Sequence, residues 1–360
     1  MQQIDLIYRT IYAELEQRAL DASFDEAFPA HGNFVRVPVK ARDYWYFEDR
    51  NSSPKRRYVG PASDPEISRR VADFGRTKAA FRGRRKLVST LVREARLTAP
   101  DRLTGDIVAH LEKAGIFRLR AVLIGTIAFQ SYSAYLGVRL PGAIVQTGDT
   151  DFAQFHSISN EVEDEIPSIL EVLKGVDATF RAIPHRSDGR FTSRYINANS
   201  YAVEFLTPNR GGDDLAGHPA RMAALGDTAA QPMRFMDFLI HEPVRAIMLH
   251  GDGVPVIVPA PERYAVHKLI VASQRRIGAQ GAAKRDKDLQ QVRHLFEALP
   301  LARMEVELAE VFVEAWERGP SWREALLKGL AMLPDEDGEV VLAGLGKALE
   351  KIGRDLKEFV

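Results

Sequence analysis

Apolar residues recur at helical spacing through Ile4, Ile7, Ile11, Leu15 and Leu20, which predicts an amphipathic helix at the start of the chain. The spacing then changes. Between residues 34 and 60, Val35 and Val37 alternate with polar positions, Tyr44-Trp45-Tyr46-Phe47 forms an aromatic run, and Asn51-Ser52-Ser53-Pro54 interrupts before Tyr58-Val59-Gly60. This is the pattern of a small antiparallel hairpin or sheet. Two helical patterns follow, one on Leu87, Leu91, Val92 and Ala95 and one on Ile107, Leu111 and Ala114. Residues 117–124 read as a buried strand, Gly125-Thr126 as its turn, 127–136 as a helix and 143–152 as the next strand.

A helix over 162–173 and three antiparallel strands over 178–183, 191–196 and 201–206 would complete a mixed sheet. The pattern then predicts a helix over 233–240 and short strands over 246–249 and 254–258 joined by a turn at Gly251-Asp252-Gly253. Pro259-Ala260-Pro261 marks a boundary, after which 263–276, 286–299, 302–316 and 340–359 all read as helices. The expected fold class is α+β in three parts: an amino-terminal helix with a basic and aromatic hairpin (1–86), a mixed-sheet domain (87–258) and a carboxy-terminal helical domain (259–360).

Composition narrows the chemistry. The 360-residue chain is 45% hydrophobic and 27% charged, enough for a sizeable core. It has no cysteine, which excludes disulfides, thiolate metal centres and cysteine nucleophiles. No apolar run approaches the ~20 residues of a membrane span and the amino terminus lacks the order of a secretion signal, so a cytoplasmic protein without membrane contact is expected. Nine histidines form no zinc-hydrolase spacing, Gly346-Lys347 lacks the glycines of a P-loop, and no Gly-x-Ser-x-Gly elbow is present.

Lysine plus arginine balances aspartate plus glutamate at 49 each, but the distribution is uneven. Arg76, Lys78, Arg82, Arg84, Arg85 and Lys86 follow one another without an acidic residue. With Arg56 and Arg57, the arginines at 84 and 85 are candidate nucleic-acid contacts, and the neighbouring aromatic run would supply stacking surfaces. The plainer reading is that Trp45 and Phe47 build a small core and the basic residues keep it soluble.

The strongest chemical signal is Asp149-Thr150-Asp151. On a strand the two aspartates share one face and Thr150 takes the other, so neighbouring carboxylates repel each other and need a cation. A strand carrying Glu204 alongside would add a third carboxylate, with Asp252 the competing choice, and oxygen donors of this kind suit magnesium.

The ordered set of Gly125-Thr126, a helix, Asp149-Thr150-Asp151, Tyr201 to Pro208, His267-Lys268-Leu269-Ile270-Val271-Ala272 and Lys284 to Leu289 resembles the minimal nucleotidyltransferase superfamily of DNA polymerase β-like fold. The likeness is nearest to bacterial toxin-type and abortive-infection members and spans residues 117–295. It implies that Asp149, Asp151 and Glu204 hold Mg2+ or Mn2+, that Gly125 and Thr126 cradle the phosphates of a nucleoside triphosphate such as ATP, and that Lys268 neutralises phosphate charge. Lys284 and Asp286 would position that lysine or touch the nucleotide.

The activity so implied is transfer of a nucleoside monophosphate to a hydroxyl of RNA, protein or a small molecule, with release of pyrophosphate. The alternatives are a catalytically weak nucleotide- or RNA-binding module and the toxin half of a toxin–antitoxin pair. Two departures stand out. The third carboxylate is a glutamate, and the long interval from Gly125 to Asp149 calls for an extended helix or an added loop near 137–142.

Overall fold

The computed structural model describes residues 1–22, 32–39, 42–48, 56–63, 65–141, 148–161, 166–209, 217–226, 228–275 and 278–360. Strand β1 (Gln2–Gln3) and helix α1 (Leu6–Ala22) lead into a three-stranded antiparallel sheet of β2 (Asn33–Val39), β3 (Arg42–Glu48) and β4 (Arg56–Pro61). Its centre is apolar: Phe34, Phe47 and Phe74 meet edge to face at 4.8–5.8 Å, Phe74 coming from the long helix α2 (Pro65–Arg93). Phe47 is fully buried, and the Trp45 indole donates to Ser68 at 3.1 Å. These two aromatics therefore serve packing, as the plainer reading expected.

Helix α3 (Arg102–Ala114) begins where Asp101 accepts the Thr104 amide at 3.0 Å and ends at Gly115, whose positive φ of 98° forms a left-handed cap. Strand β5 (Val122–Ile124) runs directly into α4 (Gly125–Leu136). Residues 117–121 do not extend the strand, because the chain turns through 115–120 first. After α4 comes β6 (Val138–Arg139), which pairs with β1. The long interval before Asp149 is thus partly taken up by a two-residue strand; 142–147 lie outside the described residues. The expected strand over 143–152 is described from Asp149 onward, as β7 (Asp149–Ala153).

Two short helices follow, α5 (His156–Glu161) and α6 (Ile169–Val176). The helix expected over 162–173 begins at Ile169 instead, since Pro167 and Ser168 precede it unwound; 162–165 lie outside the described residues. Strands β8 (Arg181–Pro184), β9 (Thr192–Ile196) and β10 (Ala202–Pro208) are successive antiparallel neighbours. Beyond β11 (Ala220–Arg221), β12 (Ala229–Met233) adds parallel to the far end of β10. The helix expected from 233 is only α7 (Met236–Leu239), because Met233 still belongs to that strand. The resulting mixed sheet runs β11-β12-β10-β7-β5, with β9 and β8 extending from β10. The hairpin β13 (Val244–Met248) and β14 (Val254–Val258) turns at Gly251 and Gly253, both at positive φ.

The remainder is helical: α8 (Pro261–Gln274), α9 (Ala279–Leu301), α10 (Glu305–Glu317), α11 (Pro320–Ala331) and α12 (Asp335–Lys351). The stretch 320–331, outside the four helices bounded from the sequence but within the expected helical domain, is also a helix, with Pro320 at its first position and Ala325, Leu326, Gly329 and Leu330 on its buried face. One hydrophobic core runs from Ile107 to Phe359 through the sheet and these helices alike, and a smaller cluster seats α1 and the end of α2 against α4 and β13. No described helix is long and apolar enough to cross a membrane.

Helix α11 lies so close to α8 that a Cβ on Gly329 would stand 2.3 Å from the Leu269 carbonyl oxygen. That atom is backbone and cannot swing aside. Gly329→Ala is expected to destabilise the fold by about 1–3 kcal/mol in denaturant titrations, and an unchanged midpoint would contradict this packing.

Candidate active site

Strand register assembles the carboxylates. Asp151 lies opposite Ile124 of β5 on one side and opposite Glu204 of β10 on the other, and Asp149 lies opposite Ala202. Alternation does the rest. Thr150, Phe152, Val203 and Phe205 turn into the core, so Asp149, Asp151 and Glu204 share the partly exposed face. Asp252, the competing third carboxylate, is instead in the β13–β14 turn, where Arg84 binds it with Nε at 2.9 Å.

Burial, and then the neighbouring charges of Asp149 and Glu204, raise the Asp151 pKa to about 7, with Lys268 and Lys284 opposing. A carboxyl held that far from its ordinary range is short of positive charge. Gly125 closes over it: the glycine has φ of 70° and a Cβ there would come within 3.0 Å of Asp151 Oδ2. Thr126 sits half-buried in the first turn of α4, to which Ile124 provides no side-chain cap.

Lys268 projects from α8 and reaches Asp288 Oδ1 at 2.5 Å, with its ammonium 5.1 Å from the Tyr264 ring centre. Burial disfavours its charge, but Tyr264 and Asp288 outweigh that and hold its pKa above the ordinary lysine value. Asp288 also takes Arg275 at 2.8 Å, and the Tyr264 hydroxyl donates to the Gly125 carbonyl at 3.0 Å. The phosphate-loop candidate and the lysine candidate are thereby tied to one helix.

Other sequence candidates fall differently. Lys284 is exposed, yet close enough to Asp151 to act on its charge. Asp286 faces outward, paired only loosely with its neighbour Arg285 at 3.4 Å; it does not position Lys268, and Asp288 does. Arg84 is not available to nucleic acid, because its side chain is 11% exposed and committed to Asp252. Arg85 is exposed over the Phe81 ring. Arg56 and Arg57 fall on β4 opposite Glu48 and Phe47, and their side chains lie outside the described residues.

Sequence reasoning missed four side chains: Asp288, Tyr264, Tyr201 and Arg194. For Asp288 a signal existed, since it shares one helical face with Gln291, Val292 and Leu295, all buried, whereas Asp286 does not. Tyr201 anchors the back of the aspartate strand. Its hydroxyl lies 2.5 Å from Thr150 and 2.6 Å from Thr104, whose own hydroxyl donates to Asp101 at 2.6 Å. An ionised carboxylate only accepts, so the chain has one direction: Thr150 donates to Tyr201, Tyr201 to Thr104 and Thr104 to Asp101. Tyr201→Phe interrupts it at buried atoms. We expect a loss of about 1–3 kcal/mol in chemical denaturation, and a variant as stable as the parent would remove the chain from the stabilising interactions.

Glu204 faces its register partner Arg194 on β9, Oε1 to Nε at 3.1 Å. Among the described residues, no three histidine, aspartate or glutamate side chains converge tightly enough to enclose a metal ion. The donor chemistry nevertheless fits a hard divalent cation: two aspartates on one strand, a glutamate one strand away, and repulsion on Asp151 that Lys268 and Lys284 offset only in part.

With this geometry in view, comparison with known proteins adds one finding. Residues 102–317, from the first residue of α3 to the last of α10, match a family model described as nucleotidyltransferase. No curated protein and no solved structure matches the chain significantly.

Proposed function

Because the chain belongs to this nucleotidyltransferase family, we propose that it transfers a nucleoside monophosphate from a nucleoside triphosphate to a hydroxyl acceptor with release of pyrophosphate, supported by magnesium or manganese. The observation that carries the reading is the Asp151 carboxyl, raised to about 7 beside Asp149 and Glu204 at the mouth of the Gly125 turn. Asp149 and Asp151, with Glu204 behind them, are the residues that would hold the cation. When bound, it would supply neutralisation of phosphate charge and a template for the triphosphate.

The chain's own groups account for the rest. Gly125 lets the triphosphate approach the backbone, and the amino-terminal turn of α4, with the Thr126 hydroxyl, offers donors to its oxygens. Lys268, fixed by Asp288, and the exposed Lys284 face the charge that grows on the departing pyrophosphate. Glu204 accepts the proton of the attacking hydroxyl.

The test is label transfer. The purified protein, each α-labelled nucleoside triphosphate, Mg2+ and total cellular RNA and protein should give labelled acceptor in the parent and none in Asp149→Ala or Asp151→Ala. A second reading, a nucleotide-binding module of weak activity, is favoured by the engagement of Glu204 with Arg194. It predicts retained nucleotide and no transfer in parent and variants alike.

A further inference from the structure

A single row of register partners crosses the sheet face through five strands: Ile124, Asp151, Glu204, Arg194 and Ile183. Its two ends differ in chemistry. Beyond Ile124 lie Gly125 and Lys268, two of the groups read as meeting the triphosphate, both held to Tyr264. Toward the other end, one strand short of Ile183, stands Arg194, about half exposed (51%) even though its Nε meets Glu204. Its neighbours Ser193 and Tyr195 are buried, so Arg194 lies on the same face as the carboxylates. In the adjacent row, Arg181 of β8 is the register partner of Ile196 and is exposed on that face.

Phosphoryl transfer places the attacking and leaving oxygens on opposite sides of the phosphorus. If pyrophosphate departs toward Gly125 and Lys268, the acceptor hydroxyl arrives from the opposite side, over Glu204 and Arg194. Two strand spacings, about 10 Å, separate Asp151 from Arg194, and Glu204 lies on the strand between them, so an acceptor gripped by Arg194 would lie over Glu204. A guanidinium at that place has no task toward the triphosphate, whose charge is met from the other end of the row.

Resting on the nucleotidyl-transfer reading above, we propose that Arg194 is an acceptor-binding residue and that the acceptor carries a phosphate group next to its attacking hydroxyl. The acceptor oxygen bonds to the α-phosphorus and its proton passes to Glu204. The bond from that phosphorus to the bridging oxygen breaks, and the electron pair leaves with pyrophosphate. Arg194 meanwhile grips the acceptor's own phosphate, the bidentate contact for which a guanidinium is suited. Such a phosphate belongs either to the end of a polynucleotide or to a small phosphorylated hydroxyl compound. Arg181, one strand further out, would meet a second phosphate only in the polynucleotide.

Calorimetric binding to the full chain, with Mg2+ and a triphosphate analogue that cannot release pyrophosphate, tests the assignment. The probes are a short single-stranded RNA with a free 3′-hydroxyl, a nucleoside 5′-monophosphate and the uncharged nucleoside. Phosphate-bearing probes should bind, the uncharged nucleoside should not, and Arg194→Gln should weaken binding about tenfold or more without altering affinity for the analogue. Arg194→Lys should restore it in part. Further weakening in Arg181→Gln for the RNA alone identifies a polynucleotide end; equal binding of the monophosphate, indifferent to Arg181, identifies a small acceptor. Probes that fail to bind, that bind without regard to Arg194, or that bind no better than the uncharged nucleoside overturn the proposal. Failure of the underlying reading shows separately, as analogue binding that is absent or unmoved by Asp151→Asn.

Discussion

Asp151→Asn is expected to lower nucleotidyl transfer by at least roughly 10³-fold while making the protein more stable at pH 8, because the same carboxyl that the proposed chemistry needs is a burden on the fold. Its pKa is raised to about 7, chiefly by burial and then by Asp149 and Glu204. For an acid displaced upward, the folded state holds its proton longer than the unfolded state. The penalty for ionising it is absent below the unfolded value near 4, grows between there and about 7, and is fully present above.

Asparagine has no charge to lose, so the variant should gain up to about 4 kcal/mol at pH 8 and little at pH 4, read from urea titrations at the two pH values. Added Mg2+ should raise the thermal midpoint of the parent more than that of the variant, since a ligand that binds the folded state stabilises it. A variant that transfers nucleotide normally, or one less stable at pH 8 than the parent, would remove Asp151 from this role.

The second large effect belongs to a residue outside the carboxylate row. Asp288 is almost wholly buried and holds two cations, Lys268 at 2.5 Å and Arg275 at 2.8 Å. Removing one partner from a buried charge cluster leaves the others uncompensated, and such losses run to about 3–5 kcal/mol. Asp288→Ala should therefore destabilise strongly. It should also weaken nucleotide binding, because Lys268 would no longer be fixed above the Tyr264 ring. Asp286→Ala, two residues earlier and largely exposed (63%), should change stability by less than about 0.5 kcal/mol. Equal effects from the two aspartates would contradict the assignment of the Lys268 anchor.

These cases mark what could be read in the sequence. The aspartate pair, the glycine that opens α4 and the strand of Glu204 were legible because alternation and turn chemistry act over a few residues. Boundaries were less so: the strand before Gly125 begins at Val122 only because the chain winds through Gly115 to Arg120, and no local pattern announces that. Asp288 could have been preferred to Asp286 from helical period alone. Tyr201 and Arg194 could not, since their importance depends on which strand lies beside β7 and β10 and in what register. The dense run of arginines read as a polyanion surface, but the role of Arg84 emerged only when the β13–β14 turn brought Asp252 to it.

The core that runs unbroken from Ile107 to Phe359 bears on modularity. Pro259 looks like a seam in the sequence, yet its carbonyl accepts the Tyr132 hydroxyl at 2.8 Å, and Phe129 stacks on Tyr264 with 6.0 Å between ring centres. A chain cut at that point would strip α4 of its far wall and Gly125 of the Tyr264 bond. The carboxy-terminal helices are therefore no appendage that could be exchanged among relatives while the mixed sheet stayed intact. Amide protons in α12 and in β10 should share one opening event, so that hydrogen exchange at the two would slow together when a nucleotide binds.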